Sequence, residues 1–275
     1  MMDQERLPFA DIELARRIER AEGSANASFV ETHAKLNPET IACWQEFGGT
    51  YAMFDGPASP VTQTFGLNVF ETATDAQLEQ IEIFYTERGA PVFHEVSPLG
   101  EQSSMGLLHE RGYRPVELST ILVQPLASFK ERPASDTLIC RLPHEGEATA
   151  WCDASAAGWD EFSEFKEIIR SLAVVNFHKP DQICVTAERE GQIIATGAMF
   201  IHEGIALLAG ASTVPEFRNL GAQNALLDYR LRLATEHGCD LALMATLPGS
   251  ASQRNAERNG FRTVYTRTKW GKNFL

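Results

Sequence analysis

Ser212-Thr213-Val214-Pro215-Glu216-Phe217-Arg218-Asn219-Leu220-Gly221-Ala222-Gln223 decides how this chain is read, because a strand-like run leads into it and a helix-periodic run leaves it. Before it, Ile205 to Ser212 reads as a strand. After it, Gly221 to His237 sets Leu226, Leu227, Leu231 and Ala234 on one helical face and stops at Gly238, where a C-terminal cap belongs. A glycine between strand and helix lets backbone N–H groups come close to an anion, and the first helical turn adds the positive end of its dipole. The stretch reads as a pyrophosphate cradle with Arg218 as its cation. One exposed charge–dipole contact is worth only about 0.3–1 kcal/mol, so several N–H groups and the cation must act together.

Working outward, Gln182 to Ala187 and Gln192 to Ile201 read as antiparallel strands joined at Arg189-Glu190-Gly191, and His202-Glu203-Gly204 turns into the next strand. Upstream of them, Thr137 to Leu142 alternates as a strand, and Gly146 to Ala157 and Glu161 to Val175 have helical spacing. Downstream, Asp240 to Thr246 reads as a buried strand, Ser252 to Asn259 as a short helix, and Phe261 to Trp270 as a closing strand. The polar segment Ser128 to Asp136, with Pro133, has linker composition. The earlier half repeats the order: strands at Thr50 to Phe54 and Val61 to Phe70, a helix from Asp75 to Arg88, a strand at Pro91 to Val96, a helix at Ser104 to Arg111, and a long strand to Gln124. Leu108-His109-Glu110-Arg111-Gly112-Tyr113 parallels Ala256-Glu257-Arg258-Asn259-Gly260-Phe261 as a helix ending in Gly-aromatic. The expected fold class is α/β with a mixed sheet, as two lobes at 1–127 and 137–275, each a mostly antiparallel central sheet flanked by helices.

The 275 residues exceed the roughly 100–200 of one ordinary domain, in keeping with two lobes. No window is long and apolar enough for a membrane span, and the charged start Met1 to Arg20 lacks the apolar core of a secretory signal, so a cytoplasmic protein without a membrane partner is expected. The five cysteines, Cys43, Cys140, Cys152, Cys184 and Cys239, form no C-x-x-C pair, which argues against a disulfide framework and a metal site. A net charge of −13 with no basic stripe excludes a general nucleic-acid binder and favours cationic or amine partners.

The segment Arg218-x-x-Gly221-x-Gln223, with the preceding Val-Pro-x-Phe-Arg and the later Ser252-x-x-Asn255-x-x-Arg258-Asn259-Gly260-Phe261, resembles the GNAT acyltransferase superfamily over about Thr137 to Leu275. The doubled arrangement is similar in outline to two-lobed members such as mycothiol synthase. The resemblance implies acetyl-coenzyme A (acetyl-CoA) as cofactor and acyl transfer to the amine of a small molecule or peptide. It implies that Ser212, Thr213 and Val214 bind the pantetheine arm through backbone groups and that Arg218, Asn219, Leu220, Gly221, Ala222 and Gln223 hold the pyrophosphate. Ser252, Asn255 and Arg258 are then expected near the pantetheine or the nucleotide.

Two positions depart from the family pattern. Gln223 stands where a second small residue is usual, which sets a side-chain amide against the pyrophosphate. Ala256 stands where members often carry the tyrosine that protonates the leaving thiolate. Tyr265 and Ser252 are the replacement donors considered, with a strand residue and a helix N-cap as their structural alternatives. Presenting a lysine-like amine neutral at pH 7 costs about 4–5 kcal/mol, and Asp160, Glu161 and Glu164 are candidate bases, or else a solvated helix face. The oxyanion needs a backbone N–H from Val214 or a neighbour. The upstream lobe has Glu71-Thr72-Ala73-Thr74-Asp75 at the corresponding place, two carboxylates with no Arg or Gly, so one cofactor per chain and a degenerate first lobe are expected. A non-catalytic acyl-CoA-binding or sensing protein is the alternative, and a monomer is expected because two lobes in one chain can mimic a dimer.

Overall fold

The computed structural model describes residues 8–101, 103–133, 137–159 and 166–273. Its contacts divide them into two compact units, one within 124–244 and one formed by 8–123 with 245–273. Each is a mixed α/β unit whose sheet is mostly antiparallel and carries helices.

The unit that contains the N-terminal residues opens with helix α1 (Ile12–Leu36), capped by Asp11, whose carboxylate accepts the Leu14 N–H at 2.9 Å. Strands β1 (Cys43–Phe47) and β2 (Thr50–Phe54) form a hairpin on Gly48-Gly49, both with positive φ, as a two-residue turn of this hand demands. β3 (Gln63–Phe65) is shorter than the expected Val61 to Phe70, because Gly66 and Asn68 turn left-handed immediately after it. Helix α2 (Asp75–Thr86), strand β4 (Val92–Val96), helix α3 (Ser103–Glu110) and strand β5 (Arg114–Pro125) follow within a residue or two of expectation. Leu67, Leu78, Ile81, Tyr85, Val92, Leu108 and Tyr113 form the core.

In the other unit, β6 (Ile139–Arg141) leads to α4 (Ala148–Ala157) and α5 (Lys166–His178), and then to the meander β7 (Gln182–Arg189), β8 (Gln192–His202) and β9 (Ile205–Thr213). Its turns carry Glu190 and Gly191, then Glu203 and Gly204, all with positive φ. Helix α6 (Ala222–Glu236) crosses back, and β10 (Leu241–Thr246) joins β9 in parallel. Residues 194–200 of β8 are buried without a break, so both faces of that strand are covered; α4 packs on it, and so does α6.

Helix α7 (Ala251–Arg258) and strand β11 (Arg262–Lys272) belong with the unit that holds α1, where β11 lies between β4 and β5 and is antiparallel to both. This differs from the expected lobe of 137–275. The period-2 pattern of β11 announces a strand but not its neighbour, and the ladder from Arg262↔Val123 to Gly271↔Arg114 decides where it goes. The two Gly-aromatic helix ends match in detail: the Tyr113 N–H donates to the Leu108 carbonyl at 2.9 Å, the Phe261 N–H to the Ala256 carbonyl at 3.1 Å, and Gly112 and Gly260 take positive φ.

Candidate cofactor site

β9 and β10 pair only at Ile205↔Leu241, Ala206↔Ala242 and Leu207↔Leu243, although β9 continues to Thr213. Past Leu207 their ladder ends. On its other side β9 bulges against β8: Thr196 faces Ser212, Ala198 faces Ala209, and Gly197 alone spans Gly210 and Ala211. Gly210 takes φ 59°, the left-handed bend a bulge residue needs, and Ala209 and Gly210 are exposed. A glycine inside a strand pattern is a bulge signal, so Gly210 was the available clue to a feature the periodicity alone does not give.

The loop after β9 makes a short turn at Pro215–Phe217 and reaches α6 through Asn219 and Gly221, with φ 66° and 82°. Gly221 is the N-cap of α6 and no side chain caps that helix. A Cβ on Gly221 would meet nothing within 4 Å, so the space over the helix start is open. By contrast Thr74 caps α2, accepting the Gln77 N–H at 3.2 Å. Leu220 is exposed and Ala222 is buried. A cavity of about 350 Å³ borders this loop, walled in part by Leu220, Gly221, Asn224 and Cys140.

The side chains expected around the loop have definite partners. Ser212 Oγ donates to the Ser155 carbonyl at 2.9 Å and lies 3.2 Å from Thr196 Oγ1. Gln223 Nε2 donates to Thr213 Oγ1 at 2.8 Å, so its amide closes the strand–helix corner. The Val214 N–H donates to the Ile194 carbonyl at 2.9 Å and is already used in the β8–β9 corner, which removes it as the oxyanion donor. Arg218 is exposed and donates through Nη2 to the Gly158 carbonyl at 3.0 Å. Gly158 sits so close that a Cβ there would lie 2.4 Å from Ser212 Cβ and 2.9 Å from Thr213 N. Beneath the bulge Arg230 of α6 is buried, an arginine that helical periodicity places on an apolar face and that sequence reasoning missed.

Ser252, Asn255, Arg258 and Tyr265 belong to the α1 unit. Ser250 is the N-cap of α7, accepting the Gln253 N–H at 3.1 Å, so Ser252 is not the cap but an exposed first-turn residue. The Asn255 carbonyl accepts Asn259 Nδ2 at 2.7 Å, and Arg258 is exposed in the last turn. Tyr265 is buried and donates to Glu19 Oε1 at 3.3 Å, and burial raises its hydroxyl well above the ordinary range. Asp160, Glu161 and Glu164 lie outside the described residues. Trp151 is core, donating to the Val185 carbonyl, whereas Trp159 is exposed.

Tyr265 opens onto a buried charge cluster in its own unit. Arg267 lies between Glu19 and Glu22 of α1 and Glu95 of β4, at 3.3 Å from Glu19 Oε1, 3.1 Å from Glu22 Oε1 and 3.5 Å from Glu95 Oε2. Lys269 bridges Glu95 and Glu117, each at 3.3 Å. Burial raises the Glu19 carboxyl to about 7 and raises that of Glu22, against the pull of Arg267. No group of His, Cys, Asp and Glu among the described residues is arranged to hold a metal, and none of their helices is long and apolar enough to cross a membrane.

Residues 126–261 match the Acetyltransferase (GNAT) family, just under half of the chain. No curated protein matches the chain. Among solved structures the fold is similar to a GCN5-related N-acetyltransferase from Kribbella flavida (TM-score 0.68, 16% identity, covering 95% of this chain and 96% of that one). It is also similar to a tandem GNAT protein from the clavulanic acid biosynthesis pathway (TM-score 0.56, 12% identity, 81% and 78% covered). A third likeness is a putative GNAT-family acetyltransferase from Novosphingobium aromaticivorans (TM-score 0.53, 13% identity, 89% and 96% covered). The family match over residues 126–261 supports an acetyltransferase, and the parting parallel strands, the bulged strand and the uncapped helix start all lie within it.

Proposed function

We propose that the protein is an acetyl-CoA-dependent N-acetyltransferase for an amine of a small molecule or peptide, with its cofactor held by the unit at 124–244. The carrying observation is the end of the β9–β10 ladder beside the open, uncapped start of α6. That arrangement fits the group: backbone donors along the unpaired length of β9 suit the amides of a pantetheine arm, and the first-turn N–H groups of α6 suit a pyrophosphate. Gly221 through Gln223 supply those N–H groups, and Arg218 supplies a cation at the loop surface. Acetyl-CoA, when bound, supplies the thioester; an N–C bond forms to the acyl carbon, the C–S bond breaks, the amine gives up a proton and the sulfur takes one.

The protein's residues orient this exchange. The proton for sulfur is assigned to water, because the Tyr265 hydroxyl is engaged with Glu19 inside its own unit. A net charge of −13 favours the approach of a cationic amine. The α1 unit is read as a degenerate lobe, supported by the Thr74 cap on α2 and by Glu71 and Asp75 beside it. The protein is read as a cytoplasmic monomer. Amine-dependent release of free thiol from acetyl-CoA, abolished by Gly221→Val, is the expected result. Binding without thiol release from any amine would instead fit an acyl-CoA sensor.

A further inference from the structure

Arg230 is 1% exposed and, among the described residues, has no carboxylate partner. A buried arginine without a counter-charge is costly, and an apolar residue of similar size is often at least as stable there. Its hydrogen bonds show what it is holding. Nε donates to the Leu226 carbonyl at 3.2 Å within α6, while Nη1 lies 3.2 Å from the Ala198 carbonyl of β8 and 3.4 Å from the Ala209 carbonyl of β9. Gly197, the residue opposite the bulge, makes room for the guanidinium, since a Cβ there would stand 3.2 Å from Arg230 Cζ.

One nitrogen reaches both carbonyls, so both face the gap between β8 and β9. A trans peptide points its N–H opposite to its C=O. The N–H of Gly210, which shares its peptide with the Ala209 carbonyl, therefore points to the other edge of β9, where the ladder with β10 has ended. A cation on the carbonyl also polarises that peptide and strengthens its N–H as a donor.

We propose that Arg230 is a positioning residue that clamps the Ala209–Gly210 peptide and aims the Gly210 N–H at the carbonyl oxygen of a bound thioester. The inference rests on the acetyl-CoA reading above. It assigns the donor role to Gly210, in place of Val214, and adds a residue that never touches the substrate. Burial draws the Arg230 pKa down to about 10, which leaves it charged at neutral pH.

The test compares wild type with Arg230→Met, Arg230→Lys and Gly197→Ala, using CoA and acetyl-CoA labelled with ¹³C at the thioester carbonyl. Titration calorimetry gives the two affinities, and difference infrared spectroscopy gives the carbonyl stretch of the bound ligand. Wild type should lower that frequency relative to free acetyl-CoA. Arg230→Met should fold, bind CoA within about threefold of wild type, lose the frequency shift, and lose about tenfold or more in kcat at little changed KM. Arg230→Lys should recover part of the shift, and Gly197→Ala, which keeps the charge but displaces it, should reduce it. An unchanged carbonyl frequency in folded, CoA-binding Arg230→Met and Gly197→Ala would overturn the positioning role and leave the cofactor reading intact. Absence of CoA binding by wild type would overturn both.

Discussion

Replacing Glu19 by Gln should make the protein less sensitive to alkaline pH. Glu19 shares a buried cluster with Glu22, Glu95, Tyr265 and Arg267, and Lys269 reaches in from Glu117. Three carboxylates face one wholly buried guanidinium, and burial holds the Glu19 proton to about pH 7 instead of 4.5. The unfolded chain releases that proton near 4.5. Between the two values the folded state carries the extra proton, so stability falls as pH rises through this window and levels off above 7. The displacement corresponds to about 3 kcal/mol between acid and alkaline limits. A glutamine is neutral at every pH and keeps an acceptor oxygen for Arg267 and Tyr265. In chemical denaturation at pH 5 and pH 8, Glu19→Gln should match wild type at pH 5 to within about 1 kcal/mol and exceed it by up to about 3 kcal/mol at pH 8. The difference between the two differences isolates this cluster from other titrations. A variant weaker than wild type by the same amount at both pH values would refute the protonated-carboxyl argument.

Arg267→Met should cost about 3–5 kcal/mol in the same denaturation assay, because it strands buried carboxylates without their cation; a neutral outcome would mean the cluster is wet. Gln223→Ala should change the Kd for acetyl-CoA less than about threefold, since its amide is committed to Thr213, and a tenfold loss by calorimetry would place that amide on the ligand instead. Ala256→Tyr, which inserts the family's frequent tyrosine, should destabilise by about 1–3 kcal/mol or more without raising kcat, because Ala256 is fully buried; a faster enzyme of unchanged melting temperature would show that the position opens onto the reaction.

The meander β7–β8–β9, the loop and α6 were legible because each is written in local chemistry: alternating apolar residues, Glu-Gly turns, and a glycine at the helix start. The long helix α1 was missed although its apolar stripe is in the sequence: Leu14, Ile18, Ala21, Ala25 and Phe29 recur at helical spacing on its buried face. What local pattern does not give is that Glu19, Glu22 and Gly23 share that face, with Gly23 pressed against the Tyr51 ring. Placing β11 between β4 and β5 requires knowledge of pairing, which a strand's own sequence does not contain. The same limit applies inside the site. Gly221 could be picked out by type and position, but the engagement of Val214 with Ile194, of Gln223 with Thr213, and of Arg230 with the bulge depends on atoms brought together from separate strands and helices.

The protein is expected to hold one acetyl-CoA per chain, on the start of α6. Isothermal titration of the purified protein with acetyl-CoA, with stoichiometry fitted freely, tests it most directly. One site per chain is expected, lost in Gly221→Val, where a β-branched residue must adopt φ 82° at the mouth of the cradle. Two sites per chain would contradict the reading of the α1 unit as a lobe without cofactor, and no binding, or binding untouched by Gly221→Val, would contradict the site itself.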